Sequence, residues 1–160
     1  LVRKLDVDII ELDFGSKDNL IGISIRVRIN IAIFESLIIP ELLTMVDKLG
    51  KTPLHIALLM ELDIEIIKLL ITQKVLTMVD DIDDRTPLHI ALDKKYSIEI
   101  IKSLITPEAL SIVDWAGKTP LIVALDNGYT GEIIELLITP KALSIVDFFC
   151  ETPLEWLIHH

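Results

Sequence analysis

A chain of 160 residues with 51% hydrophobic and 25% charged residues has enough apolar mass for one sizeable core, which excludes a disordered polymer. The formal net charge of −10, with a sequence pI near 4.7, speaks against nucleic-acid binding by phosphate neutralisation. It leaves two readings open: basic or mixed-charge protein partners, or an acidic surface that keeps a chain of mean hydropathy +0.55 in solution.

Residues 1–18 are the least regular part. Laid against the later interval from Lys74 to Arg85, Ile9 falls on Leu76, Leu12 on Val79 and Asp13 on Asp80, as expected of the end of a preceding unit or of an N-terminal cap. From Ile21 to Ile33 every second residue is Ile or Val, which by period alone predicts a half-buried strand. Next comes Leu37-Ile38-Ile39-Pro40-Glu41-Leu42-Leu43, which has a close counterpart in Leu104-Ile105-Thr106-Pro107-Glu108-Ala109-Leu110.

At Thr52 the chain spells Thr-Pro-Leu-His-Ile-Ala-Leu. It does so again at Thr86, returns as Thr119-Pro120-Leu121-Ile122-Val123-Ala124-Leu125, and restarts at Thr152-Pro153-Leu154. A threonine before a proline suits a helix N-cap, and the proline suits the first helical position. At Thr152-Pro153-Leu154-Glu155 the histidine slot holds glutamate, which predicts a capping box. Each motif helix leads into a polar turn such as Asp93-Lys94-Lys95-Tyr96-Ser97. A second helix is then predicted from apolar residues at helical spacing, Ile64, Ile66, Ile67, Leu70 and Ile71 in one copy, Ile133, Ile134, Leu137 and Ile138 in another, all expected in the core. Thr106-Pro107 and Thr139-Pro140 then stop that helix.

Self-similarity at 33–34 residues around a Thr-Pro-Leu-His core resembles the ankyrin repeat family. The resemblance implies an all-α solenoid of stacked helix-turn-helix repeats joined by short hairpin fingers. It implies structural roles for His55 and His89, each bonding back to its threonine and across to a neighbouring repeat. In its register residues 1–160 form one domain: 1–18 a partial repeat or cap, 19–51 a degenerate repeat, 52–85, 86–118 and 119–151 repeats, and 152–160 the first helix of a further one. Agreement over a whole period favours this register over the local strand pattern of Ile21–Ile33. Asp47-Lys48-Leu49-Gly50-Lys51-Thr52 and Asp114-Trp115-Ala116-Gly117-Lys118-Thr119 match the family's finger tips, whereas Asp80–Arg85 is one residue longer and lacks glycine. The segments after Pro107 and Pro140 depart from the family and suggest a small extra turn before each finger.

No residues form a catalytic constellation, and no cofactor or metal is expected. Gly50-Lys51-Thr52 and Gly117-Lys118-Thr119 imitate a phosphate-binding loop, but Met45 and Ile112 stand where its first glycine is required. The four aspartates between Asp80 and Asp84 lack a calcium-loop ladder. Cys150 reads as a surface thiol, and a single cysteine without a signal peptide fits an intracellular protein of cytoplasm or nucleus. No apolar run approaches a membrane span. The opening at Leu1 rather than Met, and the end one helix into a repeat, suggest a segment of a longer chain.

The resemblance implies a protein-protein interaction scaffold that binds through its concave face. Carried over residue by residue, the finger tips are Lys48, Leu49, Ile82, Arg85, Trp115, Lys118, Phe148 and Phe149, and the palm is Leu59, Met60, Asp93, Lys94, Asp126 and Asn127. Aromatic residues are 5% of the chain, yet three lie on tips, either as binding anchors or packed half-buried against the next finger. A regulatory or targeting segment of a larger protein, a dedicated enzyme inhibitor, and self-association through the terminal repeats stand as alternatives.

Overall fold

The computed structural model describes residues 40–159; the readings placed on residues 1–39, the cap, the strand-like alternation and most of the degenerate repeat, lie outside them. The described residues are helical, with no strand among them. The helices are α1 (Pro40–Leu43), α2 (Pro53–Leu59), α3 (Ile64–Leu70), α4 (Pro87–Asp93), α5 (Ile98–Leu104), α6 (Pro120–Asp126), α7 (Glu132–Leu137), α8 (Pro140–Ser144) and α9 (Pro153–His159).

Helices α2, α4, α6 and α9 begin as the Thr-Pro pairs dictate. Thr52, Thr86 and Thr119 hold extended backbone at the N-cap, and their hydroxyls accept from the N–H groups of His55, His89 and Ile122. Thr152 and Glu155 form the predicted capping box: Glu155 N donates to Thr152 Oγ1 at 3.3 Å, and Thr152 N to Glu155 Oε2 at 2.8 Å. Helices α2, α4 and α6 each end in one left-handed residue, Glu61, Lys95 or Gly128, with the following N–H reaching back to the carbonyl of Ala57, Ala91 or Ala124. This ending satisfies the last carbonyls and turns the chain back on itself.

The first helices stack α2 on α4 on α6 on α9, and α3, α5 and α7 form a second row behind them. Leu54, Ala57, Leu58, Leu88, Ala91 and Leu92 lie between the rows without solvent exposure. At about 25 cal/mol per Å2 of apolar surface removed from water, this continuous seam is the main favourable term. The second-row isoleucines correct the expectation that all are core. Ile67, Leu70 and Leu137 are buried, Ile66, Ile71, Ile133 and Ile134 are half-buried, and Ile64 and Ile138 are exposed. A helix of six or seven residues turns one stripe inward, and residues at or beyond its two ends fall off that stripe.

The extra turn is present before each finger. It is a 3-10 turn at Val75–Thr77 and Ala109–Ser111, and a short α-helix in α1 and α8. Thr106 and Thr139 nucleate it, their hydroxyls accepting from the N–H groups of Ala109 and Ala142.

Candidate functional site

Each finger is a tight turn pinned by its leading aspartate. Asp47 Oδ1 accepts from Leu49 N and Lys51 N, Asp114 Oδ1 from Ala116 N and Lys118 N, and Asp147 Oδ1 from Phe149 N and Glu151 N. The turn needs one left-handed residue, supplied by Gly50 and Gly117, by Asp84 in the longer finger, and by Cys150 in the last. One backbone bond joins each finger to the next: Asp81 N to Leu49 O, Trp115 N to Asp83 O, and Phe148 N to Ala116 O, at 2.9–3.0 Å. The tips therefore form a single rim.

The histidines occupy the predicted structural places. His55 Nδ1 lies 2.7 Å from Thr52 Oγ1 and 3.3 Å from Thr52 N, and its Nε2 lies 3.0 Å from Arg85 O on the next finger. His89 repeats this with Thr86 and Lys118 O. A neutral ring with its proton on Nε2 satisfies every partner, since a backbone N–H faces Nδ1. Burial pushes both imidazoles below the ordinary histidine value, His89 to about 4, against the opposing pull of the carbonyl bond.

The candidate binding residues divide into two groups. Most of the polar ones are tied to one another. Arg85 reaches Asp83 at 2.6 Å, Asp93 at 3.6 Å and Asp80 at 3.7 Å; Lys94 pairs with Glu61, Lys118 with Asp126, and Asn127 donates to Asp93. Burial alone would lower Lys118, but the Asp126 carboxylate outweighs it and raises the ammonium above its ordinary value. Lys48 is exposed.

The apolar candidates are uncovered. Trp115, Phe148 and Phe149 are 59%, 70% and 78% exposed, and Leu49, Ile82 and Met60 are exposed beside them. Leu59 is the exception, half-buried against the core. Trp115 and Phe148 meet edge to face across adjacent fingers, centroids 6.5 Å apart and planes at 86°. Trp115 and Phe148 thus touch across adjacent fingers and still leave most of their surface to solvent.

Two tyrosines escaped the sequence reading. Tyr96 Oη donates to Leu58 O at 3.0 Å, and Tyr129 Oη to Leu92 O at 3.1 Å, each stapling a turn to the end of the preceding first helix. Burial pushes the Tyr96 phenol up to about 12. Their shared slot 33 residues apart was the available signal. Tyr96→Phe is expected to cost about 1 kcal/mol in urea unfolding, the net worth of one such bond. An unchanged midpoint would mean that water replaces the phenol.

Among the described residues, no three His, Cys, Asp or Glu side chains are placed to hold a metal ion, and no helix is long and apolar enough to cross a membrane. The geometry defines a linear helical-repeat protein with a rim of turns along one side. A family model described as ankyrin repeats (3 copies) matches residues 25–112 and 64–148. The chain belongs to the ankyrin-repeat family, whose repeats generally mediate protein-protein interaction and are typically non-catalytic. No curated protein matches the chain.

Proposed function

We propose that this chain is a non-catalytic, intracellular interaction scaffold that grips a protein partner on the rim of its fingers. Its repeats are taken as 19–51, 52–85, 86–118 and 119–151, followed by the opening helix of a further repeat at 152–160. The observation that supports this most is the Trp115–Phe148 pair. Two large rings hold each other in a fixed geometry and remain exposed, so little side-chain entropy is lost when a partner covers them. Leu49, Ile82 and Phe149 extend the apolar rim, and Asp81 and Asp84 stand exposed beside it. The preferred partner surface is therefore apolar with basic flanks.

Affinity capture with the native chain and with a Trp115→Ala, Phe148→Ala, Phe149→Ala variant tests the reading. A desolvated aromatic anchor contributes about 2 kcal/mol or more, so the variant is expected to lose affinity by at least about thirtyfold even where a single one of the three rings is the anchor, while its circular dichroism stays unchanged. Equal capture by both chains would place binding elsewhere.

A further inference from the structure

The longer finger, Asp80 to Arg85, carries four aspartates against one cation. That cation is stretched among three carboxylates: Arg85 lies 2.6 Å from Asp83, but 3.6 Å from Asp93 and 3.7 Å from Asp80. The two longer separations exceed hydrogen-bond length. Asp80 is fully buried, and its Oδ2, which faces the guanidinium, has no hydrogen-bond partner; Arg85 Nε is buried and idle as well. A buried acceptor left in this state is costly. Asp81 and Asp84 are exposed and enter no ion pair among the described residues. The finger is therefore one guanidinium short of what its carboxylates can hold.

Trp115 stands directly on this finger, its N–H donating to Asp83 O at 2.9 Å. It has the Asp80–Arg85 finger on one side and the Phe148 finger on the other, so its 59% exposure is that of an interior position with both neighbours in place. The indole and the Phe148 ring meet at 86°. In such a pair one ring offers only its edge, so at least one face of the indole is free of Phe148. An open indole face thus adjoins exposed carboxylates, and the nearby cations are already paired, Arg85 with the aspartates and Lys118 with Asp126.

We infer that the corner between Trp115 and the Asp80–Arg85 finger takes an arginine side chain of the protein partner. This rests on the rim reading above and names the side chain that the rim selects. The incoming guanidinium lies flat on the free indole face and forks to Asp83 and Asp84, which releases Arg85 to close on Asp80 Oδ2. Arginine fits where lysine does not, because its planar, weakly hydrated cation stacks on an aromatic face and meets carboxylates through parallel N–H bonds. A purely apolar side chain would cover the indole and leave the carboxylates desolvated and unmet.

The probe is a short fluorescein-labelled peptide in which arginine alternates with leucine, titrated by anisotropy against the full chain beside versions carrying lysine or citrulline. Citrulline keeps the planar shape and loses the charge. At about 0.15 M salt the arginine peptide is expected to bind about threefold or more tightly than either of the others, the size of one exposed cation–aromatic contact with an ion pair. Trp115→Leu, which keeps the rim apolar, abolishes that preference. Asp84→Asn reduces it, and asparagine tolerates the left-handed backbone of Asp84, so the melting curve stays in place. Equal affinities of the three peptides for the native chain, or a preference that survives both substitutions, overturns the arginine site. If those equal affinities are lost on Trp115→Ala, Phe148→Ala, Phe149→Ala, the rim reading stands without it; absence of all binding, or binding that survives the triple substitution, overturns both.

Discussion

Lowering the pH from 7 to 5 is expected to remove about 2 kcal/mol of stability through His89 alone, with His55 adding in the same direction. At pH 7 both imidazoles are neutral folded and unfolded, and neither contributes to the pH dependence. Below the ordinary value of 6.5 the unfolded chain takes up a proton that His89, held at about 4, refuses. More protons are then bound by the unfolded chain, so stability falls as pH falls, and the loss saturates near pH 4. Asp114, raised by burial, acts in the opposite direction, and its contribution is common to the native chain and a histidine variant, so the difference between the two chains isolates the histidine. Urea unfolding at pH 7 and pH 5, on the native chain and on His89→Gln, provides the check. Glutamine retains capping-box chemistry and cannot titrate. The variant should lose about 2 kcal/mol less between the two pH values; parallel slopes would mean that His89 is solvated or already protonated in the folded state.

The second large effect is expected at a finger. Gly50 has a φ of +70°, and a Cβ added there would lie 2.7 Å from the backbone nitrogen of Asp81, the atom that donates to Leu49 O. Gly50→Ala therefore adds a clash with neighbouring backbone to the left-handed cost of about 1–2 kcal/mol and should destabilise by about 2–3 kcal/mol. Gly128 is the control. Its φ is +75°, but nothing stands within 4 Å of its added Cβ, so Gly128→Ala should cost only about 1 kcal/mol. Equal losses in thermal unfolding would show that backbone conformation alone governs both sites and that finger contact contributes nothing.

How much of this was legible in the sequence depended on how local the chemistry was. Thr52, Pro53 and His55 announce a helix start because the cap, the missing N–H and the returning imidazole act within four residues. The extra turn was expected from the departure of the segments after Pro107 and Pro140 from the family pattern, and the caps on Thr106 and Thr139 give its local cause. Apart from the histidine bridges, which the family resemblance implied, contacts that depend on how one unit sits on the next were not. Tyr96 lies in a polar turn in the sequence, and only the stacking offset brings its hydroxyl to Leu58 O. Arg85 was a reasonable tip candidate, yet three aspartates from its own and the adjoining segment surround it. At the rim, residue type picked out Trp115, Phe148 and Phe149, while their exposure is set by neighbours that the sequence does not place.

The histidine bridges also make the array mechanically uneven. Among the described residues two of them cross from a first helix to the following finger, at His55–Arg85 and His89–Lys118, but in the third unit Ile122, whose side chain cannot hydrogen-bond, occupies the slot. The finger after it is fastened to its neighbour by the Phe148 N–Ala116 O bond and the ring contact. Among the three described seams that follow a first helix, the one beyond α6 lacks the imidazole bridge, so under load it is expected to open before the two that have it. The finger that offers Phe148 and Phe149 thus sits on the seam expected to yield before the two bridged ones.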